Sequence, residues 1–190
     1  MPTPVVASDT PFGALVLTLD RLADLTDADR AAAAALGAIV YPPADHAHWP
    51  GRHLEWDTPE WCVRVHDGGA IVSFAGVYLR DATLDGTSVL VGGVGKVKTH
   101  PAARGRGFAA AAVRRAGEFF EAHGAAFGLL VCRAELVAYY ERLGWREFAG
   151  RLIVRQRGEA TDFTLNGAMA LAVRADAPAA GTIDLCGPPW

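Results

Sequence analysis

One short segment constrains the fold more than any other: Val97-Lys98-Thr99-His100-Pro101-Ala102-Ala103-Arg104-Gly105-Arg106-Gly107-Phe108-Ala109. A β-type run ends at Pro101, a basic glycine-rich turn follows, and an alanine-rich helix begins near Phe108. A turn of this kind leaves several backbone N–H groups unpaired at the positive end of a helix dipole, a ready seat for a phosphate or pyrophosphate. Gly105 and Gly107 let the main chain approach an anion closely, since neither carries a Cβ. Arg104 and Arg106 add fixed positive charge. Two other phosphate motifs fit worse. The Gly-Lys-Ser/Thr ending of a P-loop is missing, and so is the G-x-G-x-x-G spacing of a dinucleotide fingerprint.

Composition narrows the setting. The 190 residues predict one domain, residues 1–190, long enough to bury a sizeable core. Apolar residues at 51% and charged residues at 21% predict a globular chain, not a disordered one. A net charge of −3 argues against non-specific nucleic-acid binding, which draws on a basic surface. No apolar run reaches the length of a membrane span, and Met1 to Asp9 lacks the basic start and apolar centre of a secretory signal. Cys62, Cys132 and Cys186 form no C-x-x-C pair, and their odd number suits reduced thiols in a cytoplasm. Cys132 lies in an apolar run and reads as a small core residue.

The pattern along the chain predicts a mixed α/β protein. Ala14 to Leu19 reads as a strand, and Thr26 as the cap of a helix from Asp27 to Leu36 or Val40, stopped by Pro42-Pro43. The stretch from Ala44 to Pro59, rich in His, Trp and Pro, reads as an irregular binding wall. Trp61–Val65 and Ala70–Leu79 predict a hairpin turning at His66-Asp67-Gly68-Gly69, followed by a strand from Ser88 to Thr99. Gly92, Gly93 and Gly95 inside that strand suggest a bulge or a close approach. After the helix from Phe108, stopped by Gly124, come a buried strand Phe127–Cys132 and a short helix Glu135–Leu143. Trp145–Phe148, Leu152–Arg155 and Thr161–Val173 complete the expected sheet, and the tail from Ala175 to Gly181 reads as a linker.

A second constellation, Ala134-Glu135-Leu136-Val137-Ala138-Tyr139-Tyr140-Glu141-Arg142-Leu143-Gly144-Trp145, lies downstream. The order Arg-x-x-Gly-x-Ala from Arg104 to Ala109, together with Tyr140 placed before Gly144-Trp145, resembles the GCN5-related N-acetyltransferases. That resemblance implies a splayed α/β sheet with acetyl-CoA in its cleft. The loop Arg104, Gly105, Arg106, Gly107, Phe108, Ala109 would bind the pyrophosphate, and main-chain groups of Val97, Lys98 and Thr99 would pair with the pantetheine like an added strand. It also implies that Tyr140 protonates the departing thiolate, and no metal is expected. Arg133 stands where the family often has asparagine.

Within the family the layout is most similar to the aminoglycoside 2′-N-acetyltransferases. The shared features are the long loop before the hairpin, the Tyr-x-x-x-Gly-Trp segment, the Glu159-Ala160-Thr161-Asp162 turn and a final tryptophan. The resemblance implies that the Trp190 carboxylate holds the acceptor amine; the alternative is a hydrophobic plug. Gly95 and Lys96 depart from that branch, which carries an acidic residue at the former position. Lys96 and Lys98 would repel a polycation and favour a smaller amine, or an acceptor bearing its own acid or phosphate. Glu135, Asp162 and the Trp190 carboxylate are the candidates to relay the amine's proton through water, with Gly95, Lys96 and Asp162 as acceptor contacts. His46, His48 and His53 read as surface histidines, not as metal ligands. The expected activity is acetyl transfer to the primary amine of a small molecule, with an antibiotic among the candidates. The alternatives are protein lysine or N-terminal acetylation and a non-catalytic acyl-CoA-binding module; the expected partners include no nucleic acid and no membrane, and a homodimer is left open.

Overall fold

The structure, a computed structural model, describes residues 5–6 and 15–190. The reading of Met1 to Asp9 lies outside these residues except at Val5 and Val6, and Ala14 and the His46 side chain lie outside them too. β1 (Val5–Val6) pairs antiparallel with β2 (Val16–Arg21). Thr26 then opens α1 (Asp27–Val40) with a reciprocal cap: its hydroxyl accepts from the Asp29 N–H, and the Asp29 carboxylate accepts from the Thr26 N–H. Pro42-Pro43 stop α1 as expected, and the wall beyond contains α2 (Pro43–His46) and a single 3₁₀ turn at Pro50–His53.

β3 (Trp61–Asp67) and β4 (Ala70–Leu84) form the hairpin, and β5 (Thr87–Thr99) returns antiparallel to β4. α3 (Phe108–Ala122) leads into β6 (Phe127–Cys132), which lies parallel to β5. Then come α4 (Val137–Glu141), β7 (Arg146–Phe148), β8 (Arg151–Gln156), β9 (Glu159–Asp162), β10 (Gly167–Ala172) and β11 (Thr182–Asp184). The sheet runs β1-β2-β3-β4-β5-β6-β10-β7, with β11 joining the end of β4 to β8 and β9 beyond it. This is the mixed α/β architecture expected from the sequence.

Three expectations need correction. Thr161 to Val173 is not one strand: Phe163 turns into the core and its N–H bonds to Leu152 O at 2.8 Å, so the chain breaks between β9 and β10. Glu159 to Asp162 is strand and not turn; the turn is at Arg157-Gly158, both left-handed at φ 53° and 82°. The helix expected over Glu135–Leu143 starts as a 3₁₀ turn at Ala134–Leu136 and is α-helical only over Val137–Glu141. β11, wedged antiparallel against β4 and parallel against β8, has no counterpart in the sequence reading.

The sheet buries both faces. On one, α3 sets Ala112, Val113, Ala116 and Phe120 against Val63, Val77, Val94 and Leu130, with Tyr140 and Trp145 in the same cluster. On the other, β8, β11 and the last residues cover Tyr78, Val91 and Leu129, while α1 covers Cys62 and Phe74. Cys132 is buried with its thiol donating to Met169 Sδ at 3.6 Å, the core role expected of it.

Candidate active site

β5 and β6 are paired only from Val91↔Phe127 to Val94↔Leu130. Beyond that point β5 runs on to Thr99 with no strand paired on its β6 side among the described residues, and the two strands splay apart. The strand is bent at the same place. Between the pairs Phe74↔Lys98 and Gly76↔Gly95 the register shifts, so two residues of β5 oppose Ala75 alone. Lys96, on that bulge, is left-handed at φ 52°, a conformation that costs a non-glycine residue free energy and is held here by the flanking ladder.

The direction of the main-chain groups beyond the bulge follows from one bond. His100 donates its N–H back to Val72 O, so Lys98, two residues earlier, also faces β4, and Ser73 Oγ donates to its carbonyl. Val97 and Thr99 alternate with it and turn their groups toward the splay. Of the three residues expected to pair with a pantetheine, Lys98 is therefore turned away. Its side chain is engaged as well: Nζ donates to Ala33 O of α1 at 3.2 Å and stands 4.6 Å above the Phe74 ring, where burial lowers its pKa. It fastens α1 to the sheet instead of facing an acceptor.

Both splay-facing carbonyls already hold side chains. Tyr41 donates its hydroxyl to Val97 O at 3.1 Å, and Arg104 Nε donates to Thr99 O at 3.4 Å. Tyr41 was not singled out in the sequence, because at the end of a helix it reads as an ordinary surface aromatic. Its contact partner lies 56 residues away.

The loop after the splay has the expected form. Gly105 and Gly107 are left-handed at φ 77° and 80°, and a Cβ on either would meet no atom within 4 Å. Their requirement is thus conformational, and the space over them is open. Gly107 is the N-cap of α3; the first helical bond runs from Ala111 N–H to Gly107 O, leaving the N–H groups of Phe108, Ala109 and Ala110 without an intrahelical partner. Phe108 is buried, and Arg106 pairs with Asp67 at 2.8 Å while lying over the Phe108 ring.

Tyr140 lies in the core cluster on the α3 side, buried at 6% exposure and set edge-on to Tyr139 and Trp145. Burial pushes its phenol above the ordinary tyrosine pKa, so it holds its proton throughout the neutral range. Glu135 and Arg133 lie outside the core, 3.4 Å apart and largely exposed.

Trp190 occupies the opposite face. It is buried at 3% exposure, its indole N–H donates to Leu129 O at 3.2 Å, and its ring stacks on Tyr78 with centroids 5.2 Å apart. Gly93 and Gly95 make room for it: a Cβ on Gly93 would lie 2.5 Å from the indole Cε2, and one on Gly95 would lie 2.9 Å from the Trp190 carboxyl carbon. Arg80 fixes the segment by donating to Pro188 O at 2.6 Å, pairing with Asp57, and lying 4.9 Å over the indole. Asp57 in turn donates its N–H to Pro189 O. Asp57 also sits near enough to Lys96 for its charge to oppose the lowering that loss of water imposes on that ammonium. Arg80, Asp57 and Tyr78 escaped the sequence reading, for nothing in their spacing marks them. Asp162 sits on exposed β9, ion-paired with Arg151 at 2.6 Å. Among the described residues no cluster of His, Cys, Asp or Glu could hold a metal ion, and no helix is long and apolar enough to cross a membrane.

This geometry invites comparison with known proteins. The acetyltransferase (GNAT) domain family matches residues 21–148. The chain belongs to the GNAT acetyltransferase family. No curated protein matches it. Among solved structures it is similar to the GNAT family N-acetyltransferase YhbS from Escherichia coli in complex with CoA, at 15% identity and TM-score 0.61 over 94% of this chain and 93% of that one. It is also similar to the ribosomal-protein-S18-alanine N-acetyltransferase from Escherichia coli, at 19% identity and TM-score 0.53 over 84% of this chain and 96% of that one. A GNAT family acetyltransferase from Brucella melitensis in complex with acetyl-CoA matches at 15% identity and TM-score 0.54, over 88% of this chain and 94% of that one. These likenesses are of fold, and they agree with the splayed sheet read from the GNAT resemblance.

Proposed function

We propose that this acetyltransferase moves the acetyl group of acetyl-CoA to the primary amine of a small molecule. The observation that carries the reading is the placement of Tyr140 and Trp190 on opposite faces of one splay, with the anion-binding loop at its open end. The N–H groups of Phe108 to Ala110 and the open space over Gly105 and Gly107 suit a pyrophosphate. Acetyl-CoA supplies an activated acyl thioester. The acceptor nitrogen forms a bond to the acyl carbon, the carbon–sulfur bond breaks, and Tyr140 gives its proton to the departing sulfur. A neutral phenol beside a forming thiolate is the right protonation state for that transfer. Tyr140 also argues against a purely binding role.

The ammonium form of the acceptor must lose a proton before attack. Glu135 is engaged by Arg133 and Asp162 by Arg151, whereas Trp190 packs on Gly95 beside the bulge. Its carboxyl group is the acid we assign to hold the amine and relay its proton through water. The acceptor wall is formed by the stretch before β3, Tyr78 and Trp190, and Lys96 beside Asp57 makes it a poor home for several cationic groups at once. A compact monoamine fits this wall better than an aminoglycoside. A screen that detects thiol released from acetyl-CoA, run over monoamines, diamines, aminoglycosides and short peptides with free N-termini, tests the reading. Turnover with compact amines supports it. Turnover with peptides alone would replace it with protein acetylation, and acetyl-CoA binding without turnover of any amine would leave the binding-module reading.

A further inference from the structure

The two strands around the splay converge at Val94 and Leu130, and what closes the convergence on the acceptor face is a single side chain, the Trp190 indole. It covers Gly93 and Gly95 from above and bonds to Leu129 O on the neighbouring strand, so it bridges both arms at their meeting point. Gly95 to Thr99 is the length of β5 that β6 does not pair, five residues, or roughly 16 Å at about 3.3 Å per residue. A pantetheine arm of about twelve bonds equals four residues of backbone and reaches roughly 14 Å. An arm anchored at the Gly107 end and laid along Val97 and Thr99 therefore delivers its thioester next to the bulge, with the acyl chain directed at the indole.

The indole cannot swing aside cheaply. Tyr78 stacks on it, Arg80 lies over it, and its N–H is bonded. Each of these anchors is buried or largely so, and the backbone just before Trp190 is held at Pro188 O by Arg80 and at Pro189 O by the Asp57 N–H. The glycines beneath it act in the same sense, since any side chain at Gly93 would displace the ring.

We propose that Trp190 sets the acyl length: its ring is the floor of the acyl pocket and restricts the enzyme to acetyl thioesters. This rests on the acetyl-transfer reading above. It concerns the ring alone and is separate from the role assigned to the Trp190 carboxyl group.

Titration calorimetry of CoA, acetyl-CoA, butyryl-CoA and hexanoyl-CoA tests it on the wild type, Trp190→Phe and Trp190→Ala. Wild type should bind hexanoyl-CoA at least about tenfold more weakly than acetyl-CoA, because the added carbons meet a fixed ring. In Trp190→Ala the order should invert, each added methylene strengthening binding by about fourfold until the space is filled. Trp190→Phe keeps the main-chain end and a ring while leaving room for roughly one further carbon, and it should fall between the two. It also serves should Trp190→Ala not fold, as judged by thermal melting. Equal affinity of the wild type for acetyl-CoA and hexanoyl-CoA overturns the proposal, as does an unchanged order in a folded Trp190→Phe. Failure of the wild type to bind CoA itself would refute the coenzyme site instead, and the acyl floor with it.

Discussion

Replacing Tyr41 with phenylalanine removes one hydroxyl and leaves the ring in place, and it should tighten coenzyme binding. The hydroxyl now holds Val97 O, one of the two carbonyls that β5 turns toward the splay. A pantetheine amide pairing with that carbonyl must first displace the phenol, so the free protein loses a bond that the complex never had. A neutral hydrogen bond contributes about 0.5–1.5 kcal/mol net, or about 2- to 13-fold in a binding constant. With Tyr41 50% exposed, water readily replaces the lost partner, which places the effect near the lower end, about 2- to 5-fold. Calorimetry of acetyl-CoA on wild type and Tyr41→Phe reads it directly, and melting should show a loss of no more than about 1 kcal/mol in the free protein. Weaker binding in the variant would refute the displacement and make Tyr41 a direct coenzyme contact. Identical affinity together with an identical melting temperature would show that the bond to Val97 O contributes nothing.

Gly107→Val forces a β-branched residue into φ 80° at the N-cap of α3, a strain of at least about 1–2 kcal/mol, so acetyl-CoA affinity measured by calorimetry should fall at least about tenfold in the folded variant. Tyr140→Phe should lower kcat by about 10- to 10⁴-fold with acetyl-CoA affinity nearly intact, and a larger effect from Tyr139→Phe would place the acid one residue earlier. Because burial raises the phenols of Tyr78 and Tyr140, the unfolded chain ionises first as pH climbs. Their contribution to stability is complete below pH about 10 and declines above it, so melting temperature should hold from neutral pH to that point and then drop. A thiol reagent at pH 8 should modify one cysteine of the native protein quickly. Cys186 is exposed, whereas burial pushes Cys62 up to about 12 and Cys132 up to about 11; mass spectrometry of the product identifies the site.

The cap, the glycine turn and the buried strand were readable in the sequence because each is local. Thr26 and Asp29 cap α1 through a three-residue spacing, Gly105 and Gly107 fall in one turn, and Phe127 to Cys132 is apolar without a break. Each of these signals needs only neighbours in the chain. The acceptor half depends on distant contacts. Arg80 meets Pro188 across 108 residues, and Trp190 meets Leu129 across 61. No period or motif announces such pairs. The glycines of β5 signalled a close approach, but a ligand backbone and the chain's own indole leave the same mark in sequence, and only the fold tells them apart. The orientation of Lys98 toward β4 was hidden for a related reason: a bulge at Lys96 sets which residues of β5 face which edge, and nothing in Gly95-Lys96-Val97 predicts where the register shifts.

The division between the two halves follows the family match. Residues 21–148 contain the loop, the splay and Tyr140, the parts proposed to hold a thioester and release its sulfur. β8, β9, β11 and Trp190 lie beyond that span, and they cover the face from which an amine would arrive. The connection between halves is physical and narrow: Arg80 on β4 grips Pro188, the Trp190 ring and Asp57 together, and Asp57 belongs to the wall before β3. A change at Arg80 would therefore leave the coenzyme loop in place while releasing the terminal segment, the Trp190 floor and Asp57 at once. Removing the Arg80 guanidinium leaves Asp57, only part-buried, without its partner charge. If Trp190 sets the acyl length and its face receives the acceptor, as proposed, one guanidinium supports both choices.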